Sequence, residues 1–177
     1  MASYLTEDVT STQFEQFVAG FRDEHRLGRD VLMGMSEAFQ QRDTARIGQL
    51  FSQFDTGIGP HMRYEEETMY PALVETFGPE YIEKMLQDHD RALGTAGRLM
   101  ELASHDPITE GDVREAQRLL RGLLPHVSDC DGLAIILERL PAEKQQAIAE
   151  SRDRAVRDGT TVMQWAERRG RTPLPPA

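Results

Sequence analysis

A single cysteine, Cys130, leaves no partner for an internal disulfide, a composition compatible with a reducing compartment. No run of eighteen apolar residues is present, so no segment reads as membrane-spanning. The start, Met-Ala-Ser-Tyr-Leu-Thr-Glu-Asp, lacks the basic and apolar regions of a secretory leader. Positive charge is in deficit: 20 Lys and Arg stand against 30 Asp and Glu, a formal net charge of −10. Such a surface would repel a nucleic-acid backbone or an anionic membrane over most of its area, so neither is expected as a partner. Strand-period alternation, Ser/Gly linkers and low-complexity blocks are also missing. At 177 residues there is material for one core and no room for a second full domain. A soluble, cytoplasmic, all-α protein is expected.

What is present is helical periodicity. From Thr12 to about Gln41, Phe14, Phe17, Phe21, Gly28, Leu32, Met35 and Phe39 recur at steps of three and four, with His25 in series. A second helix starts at Asp43 or Thr44, carries Ile47, Phe51, Phe54, Ile58, His61, Glu65, Met69 and Ala72, and ends at Gly78-Pro79. The third runs from about Glu80 through Ile82, Met85, His89, Ala92, Ala96, Leu99 and Ala103, and stops near Ser104-His105-Asp106-Pro107. A fourth, capped by Thr109 with Asp112 in its first turn, carries Ala116, Leu119, Leu123, His126, Cys130, Leu133, Leu137 and Leu140. The expected fold is an up-down-up-down four-helix bundle over residues 12–140. Residues 141–177 then form a C-terminal extension: one amphipathic helix from Pro141 to Arg157, a short piece around Val162 to Ala166, and a loose tail from Arg171.

Each of the four stripes thus carries one histidine, and His61 has the carboxylate of Glu65 one helical turn away on the same face. The pattern repeats: 36 positions separate His25 from His61 and 37 separate His89 from His126, and Pro60-His61 is matched by Pro125-His126. Within each predicted hairpin the histidines lie at matching heights. Between hairpins, His61 and His89 are offset by roughly 9 Å at about 1.5 Å per residue, with Glu65 closer to the level of His89. Four imidazoles and a carboxylate stranded in a core without counter-charge would cost several kcal/mol per unsatisfied group, about the stability of a small domain. A bound cation removes that cost. Imidazole with carboxylate suits iron, manganese or zinc better than calcium or magnesium, and the donors exceed one tetrahedral zinc. The count fits two bridged irons between four helices, although the Glu-x-x-His pairs of ferritin-like di-iron proteins are absent.

His61-x-x-x-Glu65-Glu66-x-x-Met69-Tyr70-Pro71, with one histidine on each of four helices, resembles the hemerythrin-like (HHE cation-binding) domain over about residues 14–140. The resemblance implies a four-helix bundle around a non-haem di-iron centre, with His25, His61, Glu65, His89 and His126 as ligands and Glu65 bridging. Two departures stand out. Four residues after His89 the sequence has Leu93, where hemerythrins proper have a second histidine, which argues against reversible oxygen carriage. Four residues after His126 it has Cys130 in place of a carboxylate. The spacing His126-x-x-x-x-Asp131 resembles the hemerythrin one, and a kink or widening at Pro125 would bring Asp131 round as the sixth ligand. Asp129 and a Cys130 thiolate are the alternatives.

The function implied is binding of dioxygen, nitric oxide or peroxide at an iron centre, with peroxide decomposition or nitric-oxide handling as possible activities. Two other classes compete: an oxygen, redox or iron sensor signalling through the C-terminal extension to a protein partner or a second copy, and a structural zinc or iron site. Glu24, Glu66, Glu67, Asp88 and Asp90 read as solvated or as lying behind the ligands, where an acid orients an imidazole. Tyr64 and Tyr70 read as packing residues, and His105 as part of the third turn.

Overall fold

The computed structural model describes the backbone of residues 2–175 and the side chains of residues 13–175. The first helix, α1, spans Ala2–Gln41 and so begins well before the Thr12 that periodicity suggested. Asp43 caps α2, Thr44–Tyr64, by accepting from the Arg46 amide at 2.9 Å. The chain continues without a break through a π-helical turn, Glu65–Met69, into α3, Tyr70–Phe77. Gly78, at φ 82°, ends it in a conformation that only glycine adopts cheaply, and Pro79 opens α4, Pro79–Ala103. Thr109 and Asp112 exchange capping-box hydrogen bonds at the start of α5, Glu110–Gly132. After the single turn α6, Ala134–Leu137, come α7, Ala142–Asp158, and α8, Val162–Arg168. Among the described residues there is no strand, and no helix is long and apolar enough to cross a membrane.

Helix α1 packs on α2 and α5, and α4 packs on α3 and α5, giving a helical bundle. Its apolar core falls into two large blocks and a small cluster of Ile58, Met62, Leu93 and Val162. One block holds Phe14, Phe17, Phe21, Tyr64, Met85 and Leu137; the other holds Met35, Phe39, Ile47, Leu99, Leu102 and Leu120. Each such side chain, fully buried, contributes roughly 1.5–3 kcal/mol. His25 lies between them on α1, so the polar centre has a dry block on either side.

The extension is part of this packing. Ile148, Ala149 and Ala155 of α7 enter the first block, and α8 lies on α2 with Val162 against Ile58 and Met62. The tail is not loose over the described residues. Arg171 pairs with Asp90 at 2.8 Å and Glu83 at 2.9 Å, and the Leu174 amide donates to the Asp90 carbonyl at 3.0 Å.

Candidate metal centre

Glu65 is the middle of the site. It is fully buried, and its two oxygens face imidazoles from different helices: Oε1 lies 3.1 Å from His61 Nε2, and Oε2 lies 3.2 Å from His89 Nε2. The regular turn from His61 to Glu65 puts both on one face. Beyond it the helix changes. The Tyr70 amide bonds to the Glu65 carbonyl five residues back, so the π turn brings Tyr70 round to the face of Glu65, where an α-helix would rotate it away. Pro71, lacking an N–H for the Glu67 carbonyl, interrupts the α pattern at this point. The Tyr70 hydroxyl then reaches Glu65 Oε2 at 3.3 Å and His89 Nε2 at 3.1 Å.

Behind the ring of Nε2 atoms the Nδ1 atoms are held. His25 Nδ1 donates to the Phe21 carbonyl at 2.8 Å, His61 Nδ1 to Glu24 at 2.8 Å, and His89 Nδ1 to Glu66 at 2.8 Å. A carbonyl or carboxylate partner fixes the proton on Nδ1, which leaves Nε2 for an ion. The Tyr64 hydroxyl also donates to Glu24, at 2.7 Å. Neither tyrosine is therefore only a packing residue. His126 is different: its Nδ1 is buried without a hydrogen bond and lies 3.7 Å from Asp88. The rings pair across helices, His25 with His61 at 4.5 Å between centroids and His89 with His126 at 4.9 Å.

Helix α5 stays α-helical past Pro125, so the widening expected there occurs after His61 instead. On a regular helix Cys130 shares the face of His126. It is fully buried, and its thiol donates to Glu65 Oε1 at 2.8 Å. Donor atoms of His25, Glu65 and Cys130 all lie within 4.8 Å of one another. Asp131 is partly buried, with Oδ1 buried and unpartnered, and its charge acts on His25. Asp129 is exposed beside Lys84 at 3.7 Å and points away from the centre. Of the other acids, Glu67 is on the surface with Arg63, His105 sits in the turn with Asp112, and Asp90 is buried between Arg169 and Arg171.

The electrostatics follow from this crowding. Burial alone would push His61 and His89 down, but Glu65 with Glu24 raises His61 to about 10, and Glu65 with Glu66 raises His89 to about 9. His25 is depressed to about 4 by burial and by the charge on His61. Burial opposes ionisation of Glu65 too, yet the two histidines hold it well below the usual carboxylate range. Burial and Glu65 push the Cys130 thiol far up. Protons thus stand where a cation would, and Asp131 Oδ1, buried without a hydrogen bond, is a further oxygen donor on α5. The residues fit a metal centre. A cavity of about 60 Å³ adjoins it, bounded by the histidines and by Gly28, Phe54, Ile58, Ala92, Leu123 and Val127.

The sequence model of the family described as the hemerythrin HHE cation-binding domain matches residues 13–134. Comparison with curated proteins and with solved structures gave no match.

Proposed function

Because the chain belongs to the hemerythrin HHE cation-binding domain family, we propose that it holds two iron ions between α1, α2, α4 and α5 and binds a small oxidant or diatomic molecule there: dioxygen, nitric oxide or peroxide. The observation that carries this reading is Glu65, with one oxygen toward His61 and the other toward His89. A single carboxylate facing two imidazole pairs on opposite sides suits a bridge between two ions. His25 and His61 would hold one ion and His89 and His126 the other, with Cys130 and Asp131 available to the first. Iron bound here would supply Lewis acidity and one-electron redox chemistry, and Cys130 is a free, buried thiol.

The protein's own groups do the rest. Glu24, Glu66 and the Phe21 carbonyl orient three imidazoles before any ion arrives. The apolar wall of Ile58, Leu123 and Val127 borders a cavity of about 60 Å³, which has room for a small molecule of a few atoms. Tyr70 O–H and Cys130 S–H point at Glu65 and are proton donors beside the centre. With Leu93 where the oxygen carriers place a further histidine, one ion keeps a position for an exogenous ligand, which favours turnover or sensing over oxygen carriage.

Iron content and the optical spectrum of aerobically purified protein test the reading. Two irons per chain with ligand-to-ferric charge-transfer absorption in the near ultraviolet are expected. Colourless protein carrying only zinc would refute it. Mixing the ferrous protein with oxygen, nitric oxide and peroxide in turn then identifies the ligand as the one that changes the spectrum fastest.

A further inference from the structure

Two of the carboxylates that orient imidazoles are themselves held by the C-terminal extension. Glu24 gives Oε2 to His61, and its Oε1 accepts from Arg152 on α7, at 2.8 Å from Nε and 2.7 Å from Nη2. Glu66 gives Oε1 to His89; the same oxygen lies 3.1 Å from Arg169 Nη1, and Oε2 accepts from Trp165 Nε1 of α8 at 3.1 Å. Arg169 is buried and also pairs with Asp90. Each relay runs from an arginine through a carboxylate to an imidazole, by a hydrogen bond from Arg152 at Glu24 and by an ion pair without a hydrogen bond from Arg169 at Glu66.

The bundle is shaped to receive these groups. A Cβ at Gly20 would overlap the Arg152 guanidinium, one at Gly59 the backbone of Thr160 and Thr161, and one at Gly94 the Leu174 carbonyl. Each glycine lies inside a helix, where it costs about 0.5–1 kcal/mol relative to alanine. All three stand where the extension crosses α1, α2 or α4. Surface cover alone does not call for such close approach at three separate crossings.

We propose that residues 142–175 are a clasp on the metal centre, in which Arg152 positions His61 through Glu24, Arg169 positions His89 through Glu66, and seating of the clasp is coupled to retention of metal. The inference rests on reading the bundle core as a metal centre. An arginine beside a carboxylate in a low-dielectric interior fixes its rotamer, and the carboxylate in turn fixes the imidazole proton on Nδ1. Because the coupling is reciprocal, an ion that holds His61 and His89 in place also favours the seated extension. The clasp is therefore the route by which metal occupancy reaches the surface of the protein.

The test uses the full-length, iron-loaded protein and the rate of iron loss to an excess of chelator. Arg169→Gln and Arg152→Gln should each speed iron loss by about tenfold or more and alter the ferric spectrum, with Arg169→Lys restoring part of both. Gly94→Ala, which displaces the tail without removing a charge, should shift both readouts in the same direction and carries the test if a glutamine variant does not fold. Lys144→Ala breaks only the surface pair of α7 with Glu75 and should match wild type. Hydrogen exchange in α7 and α8 should be slower in the loaded protein than in the metal-free one. Arginine and Gly94 variants that lose thermal stability but release iron at the wild-type rate with the wild-type spectrum would overturn the clasp and leave the metal centre standing. Wild-type protein that takes up no iron would remove the metal reading and the clasp with it.

Discussion

His61 on α2 and His126 on α5 each follow a proline, yet their surroundings are held with different firmness. His61 has Glu24 at 2.8 Å on Nδ1 and Glu65 at 3.1 Å on Nε2, and Arg152 ties Glu24 in turn. His126 has a buried Nδ1 without a hydrogen bond and Asp88 only at 3.7 Å. Asp88 is drawn outward by Lys84 and Arg91, at 2.9 and 2.7 Å. His61 is organised before an ion arrives, as His25 and His89 are, and His126 alone keeps slack. Under the proposed function, retention of metal would draw on the first property and exchange of an exogenous ligand on the second, and the two lie on different helices.

The comparison breaks most completely at His61. His61→Ala should reduce bound iron to roughly half of wild type or less and lower the thermal midpoint of the loaded protein, since the remaining ligands lose their partner. Metal analysis with a melting curve reads both, and unchanged iron content would contradict the asymmetry at its root.

The pH dependence sharpens it next. His61 and His89, raised to about 10 and about 9, carry protons in the metal-free protein at pH 7. Their folded-state values exceed the ordinary one of about 6.5, so their contribution to stability is fully present below that pH. It is lost as pH rises through 9 and 10. The metal-free protein should therefore melt at lower temperature as pH rises from 7 to 10, with a smaller change once metal has displaced those protons. Metal uptake near pH 7 should release one proton each from His61 and His89, and a third if Cys130 binds as thiolate. Calorimetry in buffers of different ionisation heat counts them, and no net release would contradict the charged-pair account.

On α5 the ligand question is settled by a pair of variants. If Asp131 binds the ion, Asp131→Ala alters the iron spectrum and Cys130→Ala only shifts stability by about a kcal/mol or less. If the thiol binds, Cys130→Ala changes the spectrum, and peroxide oxidises the wild-type thiol at a different rate with iron than without. The smallest effect is expected behind His126. Asp88→Asn should weaken iron binding by about tenfold or less, whereas Glu24→Gln should approach the upper end of roughly 10–100-fold. Equal losses in chelator competition would erase the difference between His61 and His126.

Helix positions and the four inward histidines were legible because a stripe of period 3.6 is a local property, and the caps at Asp43, Thr109 and Gly78 are local chemistry. The His61–Glu65 pair was legible for the same reason. The π turn was not. A run such as Glu65-Glu66-Glu67-Thr68-Met69 reads as ordinary helix, and the extra residue shows only once Tyr70 is seen on the face of Glu65. Pro60, Pro71 and Pro125 all carry a local signal for a disturbed helix, and only the structure shows that the widening falls before Pro71 and not at Pro125. The docking of Arg152, Arg169 and Arg171 was equally hidden. Their partners at Glu24, Glu66, Asp90 and Glu83 are far away in sequence, and a charged, proline-containing tail has no periodicity to betray a fixed position. The glycines at 20, 59 and 94 were a local trace of it, visible as residues that weaken the helices they interrupt.

The central claim is that Glu65 bridges two metal ions. Anomalous diffraction at the iron edge from crystals of the iron-loaded protein measures this directly. The account predicts two iron peaks, one between Glu65 and the His25–His61 pair and one between Glu65 and the His89–His126 pair. A single peak, or iron bound away from Glu65, would contradict it.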